Sequence, residues 1–193
     1  AAGPDWLHIP AIFINLFAGD SAPLSRVAVE LGLLQLQPPH VSAAIDALDD
    51  TVFPTLEQIC AAGVVGVLWC APPPSADLQS RSRACRLIHL VVSRGGVAIF
   101  EQASASLAWL DPVVAQMVHA VTPYLVISHQ CQWVFGQQEH VCCKRWTFAS
   151  NRPLPIPIAG ECACRCPSGG EEGPASQTDT RTKYPARLCE EVM

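Results

Sequence analysis

Short apolar runs of strand length alternate along this chain with segments of helical period, and that alternation constrains the fold more than any other feature. AIFINLF (residues 11–17) is apolar, aromatic and β-branched, and a small-residue turn bounds it, so it predicts a buried strand. After AGDSAPLS, the residues Leu24, Val27, Ala28 and Leu31 recur at helical spacing. Ser21 is placed to cap that helix, Pro23 falls in its first turn, and Gly32 closes it. LLQLQPP (33–39) is a second strand, IDALDD an acidic loop, and FPTLEQICAAG a helix ending at Gly63.

The run VVGVLWCA then stops at three consecutive prolines, Pro72, Pro73 and Pro74, followed by Ser75. Proline lacks the N–H that a ladder needs, so this is a stiff turn at the end of a strand. SRSRACRLIHLVVSRGG reads as a helix with Leu87, Ile88, Val91 and Val92 on its apolar side, and VAIFEQ as a strand ending on Glu101. LDPVVAQMVHAV is a helix with Asp111 as N-cap and Pro112 at its first position, and YLVISHQCQW and KRWTFASN are late strands. The expected fold is α/β: a mostly parallel, Rossmann-like sheet with helices on both faces. Ligands of such sheets sit beyond the carboxyl ends of the strands. FAGDS, IDALDD, CAPPPS and FEQAS lie at those ends and are expected to converge on one cleft.

Bulk properties narrow the function. The 193 residues are 50% hydrophobic and 15% charged, enough for one substantial core and far from a disordered composition. The expected division is an α/β domain over residues 1–159 and a Cys/Gly/Pro-rich tail over 160–193. No apolar run reaches the length of a membrane span, so no membrane partner is expected. No secretory signal pattern occurs at the start, and the opening AAGPDW lacks an initiator methionine, from which a segment cut from a longer polypeptide is expected. A net charge of −5 argues against a broad nucleic-acid surface. The basic groups Arg81, Arg83 and Arg86, then Lys144 and Arg145, leave room only for local contacts or for plain solvated charge.

Ten cysteines do not form a disulfide pattern. Cys60, Cys70 and Cys85 lie in or beside apolar segments, where a thiol behaves as a small hydrophobe. Cys162, Cys164 and Cys166 form a compact C-x-C-x-C group without the distant second pair that a zinc site ordinarily uses. They are weak metal candidates, and a reducing, intracellular setting is expected.

Gly19 stands at the first strand-to-helix turn, where backbone N–H groups can face a ligand, although a structural tight turn explains it equally. No GxGxxG or GxxxxGK[ST] motif is present. Taken in order, NLFAGDSAPLSRVAVELGL, IDALDD, APPPS and FEQAS resemble the successive motifs of the cytosine-5 DNA methyltransferases: D-L-F-A-G, an aspartate loop, P-P-C and E-N-V. EQASASLAW, CQWVFG with KRWTFASN, and YPARLC resemble a divergent methyltransferase-like group of phages and of algal and dinoflagellate mobile elements. The likeness spans nearly the whole chain.

The resemblance implies a somewhat truncated class I methyltransferase fold with S-adenosylmethionine as cofactor and DNA as partner. It assigns Phe17, Ala18, Gly19, Asp20, Asp46, Ala71 and Pro72 to the cofactor side, Lys144 and Arg145 to substrate, and Glu101 to the flipped cytosine ring. A carboxyl beside the ring nitrogen spreads the charge that develops there. For Glu101 the structural alternative is a strand-end carboxylate exposed to water.

The likeness breaks at the nucleophile. The chemistry needs a thiolate to attack the ring, and Pro74 occupies the thiol's position in P-P-C-S. Cys70 lies four residues earlier, roughly 13 Å away at about 3.3 Å per residue, where about 1 Å matters. Ser75 is adjacent but has no evident histidine to activate it. Asn15 replaces an acid before LFAG, no acid ends LLQLQ to grip a ribose, and the stretch before FEQ is short. The expectation is therefore a degenerate, catalytically impaired methyltransferase-like domain of a mobile element. The alternatives are a non-enzymatic nucleic-acid or metal-binding module, or a methyltransferase acting on another atom such as an exocyclic amine.

Overall fold

The computed structural model describes residues 12–17, 23–36, 50–73, 76–129 and 145–154. In chain order they form β1 (Ile12–Leu16), α1 (Pro23–Glu30), β2 (Leu34–Leu36), α2 (Phe53–Ala61), β3 (Val65–Cys70) and α3 (Leu78–Ser93). Then come β4 (Val97–Ala103), a 3-10 helix (Leu107–Leu110), α4 (Pro112–Ala120), β5 (Tyr124–His129) and β6 (Arg145–Ser150). The six strands make one sheet in the order β2-β1-β3-β4-β6-β5. β2, β1, β3 and β4 are mutually parallel, whereas β6 runs antiparallel to both β4 and β5.

Period-two alternation sorts the apolar residues onto two faces. Ile14, Leu16, Leu68, Cys70, Ala98, Phe100 and Ala149 pack with buried residues of α2, α3 and α4. Phe13, Trp69, Ile99 and Phe148 pack on the other face with Leu24 and Ala28 of α1. Right-handed crossovers account for this split, because the chain reverses its direction of travel across the sheet after β2. The reversal puts a switch point between β1 and β3. Each fully buried Leu, Ile or Phe contributes about 1.5–3 kcal/mol, so this two-sided core is the main stabilising term.

Local signals set the element ends. Asp111 caps α4 by accepting the Val113 N–H at 2.9 Å, with Pro112 in the first turn as the sequence predicts. α2 ends just before Gly63, whose φ of +74° is the left-handed conformation that favours glycine. α3 starts earlier than its apolar pattern indicates, because Asp77 caps it by accepting the Ser80 N–H at 2.7 Å. The 3-10 helix over LAWL is a further element that the periodicity does not announce.

Two expectations are corrected. β4 does not end at Glu101: pairing with β6 continues through Gln102 to Ala103, opposite Trp146. The arginines of α3, expected as local contacts or plain solvated charge, are each paired with an acidic residue. Arg81 pairs with Asp111 at 2.8 Å, Arg83 with Asp50, and Arg86 with Glu57. Arg83 also lies 5.0 Å over the Phe53 ring, so these arginines tie α3 to its neighbours. No helix among the described residues is long and apolar enough to cross a membrane. The expected tail, 160–193, lies outside the described residues.

Candidate functional site

Register fixes the rim at the carboxyl ends of the central strands. Leu16 pairs with Cys70, and Cys70 with Phe100. The next residues, Phe17, Ala71 and Glu101, therefore stand abreast, and the Ala71 N–H donates to the Leu16 carbonyl at 3.4 Å. Phe17 leaves β1 with φ +68°, a left-handed conformation that costs a non-glycine residue about 1–2 kcal/mol. Its ring is half-buried against the core, which offsets that cost.

Glu101 is 1% exposed, so the reading of a strand-end carboxylate open to water is overturned. Alternation puts it on the α1 face with Ile99, opposite Phe148 of β6, and that pairing removes it from solvent. The Trp69 indole N–H donates to Glu101 Oε2 at 2.9 Å. A buried carboxyl without such donors is costly, so this bond is central to the placement of Glu101. Trp69 is itself held edge-on against Phe148, with ring centroids 5.8 Å apart.

Gln102, the next residue, joins the same strand to the proline turn. Its Nε2 donates to the buried Pro72 carbonyl, and its Oε1 accepts the Ser106 hydroxyl at 3.0 Å. The Ala76 N–H donates to the Pro73 carbonyl at 2.9 Å, and Arg81 Nη1 donates to the Ala76 carbonyl. Both flanks of the turn are thereby fixed. Pro74 and Ser75 lie outside the described residues, as do Ala18, Gly19, Asp20, Asp46 and Lys144. Cys162, Cys164 and Cys166 lie outside them too.

Cys70 is fully buried, and burial together with its neighbour Cys85 pushes its thiol well above the ordinary value. It stays protonated inside the sheet and supplies no thiolate nucleophile. Arg145 is exposed at the start of β6, where its carbonyl accepts the Ser104 N–H at 2.9 Å. Because β6 is antiparallel to β4, that position shares the rim with Glu101. Asn15 is buried, and its Nδ2 donates to Ser25 Oγ of α1 at 3.3 Å, so the neutral amide ties β1 to its covering helix.

Thus Phe17, Ala71, Pro72 and Glu101 come together at one rim, with Arg145 farther along it. Sequence reasoning misses Trp69, Gln102 and the pair Arg81–Asp111. Trp69 reads as a core aromatic and Gln102 as an ordinary polar residue near a strand end. Only the lateral order of the strands reveals what each one meets.

These features define an α/β protein with a mixed, mostly parallel sheet and a rim of strand ends at its switch point. No protein-family model matches the chain, and no curated protein or solved structure matches it. At the described rim Phe17 packs against the core on the α2, α3 and α4 face and Ala71 against the core on the α1 face, so the two do not form one apolar wall. The short β2 that would flank a ribose is Leu34–Leu36, and it carries no carboxylate. The rim thus stands where such sheets hold nucleotides, but β2 supplies no ribose-binding acid for S-adenosylmethionine.

Proposed function

We propose that this chain is a cytosine-5 DNA methyltransferase-like domain of class I architecture that has lost the nucleophile and with it catalytic competence. The observation that carries this reading is the junction of two strand ends. The strand leading to the proline turn and the strand bearing Glu101 are neighbours, joined at the rim through Trp69–Glu101 and Pro72–Gln102. Cytosine methylation at carbon 5 needs a nucleophile turn and a ring-holding carboxyl side by side. The resemblance puts APPPS and FEQAS in those two roles.

The sheet supports the same reading. An antiparallel last strand set between its two predecessors departs from the all-parallel dinucleotide-binding order and agrees with a class I methyltransferase plan. This is support at the level of fold alone.

Three features argue for impairment. Pro74 has no thiol to offer. Cys70 is sealed inside the core. Glu101 Oε2 accepts from Trp69 within a buried site, so that oxygen is committed to the fold. Transfer to an exocyclic amine needs no thiol, but APPPS lacks the aromatic residue that stacks a base in such enzymes.

Calorimetric titration with S-adenosylmethionine is the test. Binding is the expected result, with no methyl transfer to cytosine-containing DNA. No heat at millimolar cofactor would overturn the methyltransferase reading and leave a binding module. If cofactor binds, Pro74→Cys should yield a trapped covalent adduct or measurable methylation, and no gain would mean that the site has decayed beyond the nucleophile.

A further inference from the structure

Two loop regions leave the rim, described over residues 71–73 and 76–77 after β3 and over residues 104–111 after β4. Side chains link them at both ends. At the sheet end, Gln102 donates to Pro72 in the first loop and accepts from Ser106 in the second. Ser106 Oγ in turn accepts the Ala108 N–H at 3.2 Å, which starts the 3-10 helix. At the outer end, Arg81 donates through Nη1 to the Ala76 carbonyl and through Nε to Asp111, 2.8 Å away. Asp111 follows directly on the 3-10 helix. The contacts close into a ring running through Pro72, Gln102, Ser106, Asp111, Arg81 and Ala76.

We infer that Gln102 and Arg81 lock these two loops into a single mechanical unit, so that an event at either loop is felt at the other. A ring differs physically from two separate tethers. In a ring, either link orients the atoms that the other must meet, so each bond lowers the entropy cost of its partner. Cutting one link then loosens both loops, and cutting the second adds little. Independent tethers would each loosen one loop, and their effects would multiply. The donors and acceptors suit the role: Gln102 is 3% exposed and uses both ends of its amide, and the Arg81 guanidinium spans a carbonyl and a carboxylate. The inference does not depend on the methyltransferase reading, because it needs neither cofactor nor DNA.

Native-state amide exchange on the full chain tests it, in Gln102→Met, Arg81→Met and the double variant. The reporters are the Ala76 N–H, on the Arg81 side, and the Ala108 N–H, on the Gln102 side. Each single substitution should speed exchange at both reporters about tenfold, the scale of one lost hydrogen bond. The double variant should add less than about threefold. Single substitutions that affect only the near reporter, or factors that multiply in the double variant, would overturn the ring. Should Gln102→Met fail to fold, Ser106→Ala opens the same end of the ring with a smaller change in packing. It should give the same response at Ala76, and an unchanged Ala76 rate there counts against the proposal.

Discussion

The Trp69 indole N–H donates to Glu101 Oε2 at 2.9 Å, between two neighbouring parallel strands and 32 positions apart in sequence. The bond places a carboxyl group inside the α1 face of the sheet, next to Ile99 and opposite Phe148. It also explains how a residue read as a rim carboxylate is held without direct contact with water. A hydrogen bond to a carboxylate in such a place is worth about 1.5–3 kcal/mol.

Trp69→Phe tests that value. A six-membered ring remains to keep part of the edge contact with Phe148. The N–H and the rest of the buried indole are deleted, which adds a cavity cost to that of the lost bond. Urea unfolding should show a loss of at least about 1.5–3 kcal/mol, because the Glu101 oxygen stays buried with one donor fewer and the smaller ring leaves a cavity. Trp69→Phe combined with Glu101→Leu should recover part of that loss, since the desolvated carboxyl is then gone. An unchanged midpoint for Trp69→Phe would mean that the bond contributes nothing to stability.

Gly96→Ala should be costly for a purely steric reason. A Cβ there would meet the Val65 carbonyl oxygen at 2.6 Å and Val91 Cγ1 at 2.6 Å. One contact is backbone of the adjacent strand and the other is a buried core residue, so neither gives way easily. The expected cost is about 1–3 kcal/mol, read as a lower thermal midpoint. The Asn151 side chain clamps the same strand entry, accepting the Ala98 N–H at 2.9 Å and donating to the Gly96 carbonyl at 3.0 Å. Asn151→Ala should therefore also destabilise, by about 1–2 kcal/mol.

These particulars show what can be read from sequence and what cannot. The strand and helix order is legible because each buried strand is a short apolar run and each helix carries its own period. Asp111-Pro112 declares the start of α4 because capping is a local interaction. The insertion of β6 between β4 and β5 is not legible, since nothing in RWTFAS specifies which neighbour it will pair with. The burial of Glu101 follows from that insertion and is hidden for the same reason. Arg81, Arg83 and Arg86 look like surface charge until Asp111, Asp50 and Glu57 arrive from 30 or so positions away. The proline turn is visible as a stop signal, while its attachment to Gln102 depends on tertiary structure alone.

Acid should weaken the link between α3 and α4. Burial alone would push the Asp111 carboxyl up, but the Arg81 guanidinium and the Val113 N–H outweigh it and hold the group below its ordinary value. A carboxyl depressed on folding contributes stability that is present above its unfolded value, about 3.9, and lost as pH falls through the folded one. Asp111→Asn keeps a good helix cap and deletes the charge. Its cost should be about 1 kcal/mol at neutral pH, for a pair that is only partly exposed. The gap between variant and parent should narrow below about pH 4. A gap that stays constant down to pH 2 would show that the charge is irrelevant.

Alkali should weaken the core through its thiols. Cys60 and Cys85 are pushed up to about 12, chiefly by burial, and Cys70 is raised well above its ordinary value by burial and by Cys85. All three are free thiols. The folded chain therefore holds these protons more tightly than the unfolded chain, whose thiols titrate near 8.5. Their contribution is fully present below about pH 8.5 and falls as pH rises toward 12, because only the unfolded state then releases its protons. Each thiol removes up to about 1.4 kcal/mol per pH unit in that window. The combined variant Cys60→Ala and Cys85→Ala should accordingly show a shallower alkaline loss than its parent in unfolding experiments between pH 8 and pH 10. Alkylation with iodoacetamide followed by peptide mapping gives an independent check. Peptides carrying Cys60, Cys70 and Cys85 should remain unlabelled in the folded chain and label fully in urea. Rapid labelling of Cys70 in the folded state would contradict its burial and restore it as a reactive group at the rim.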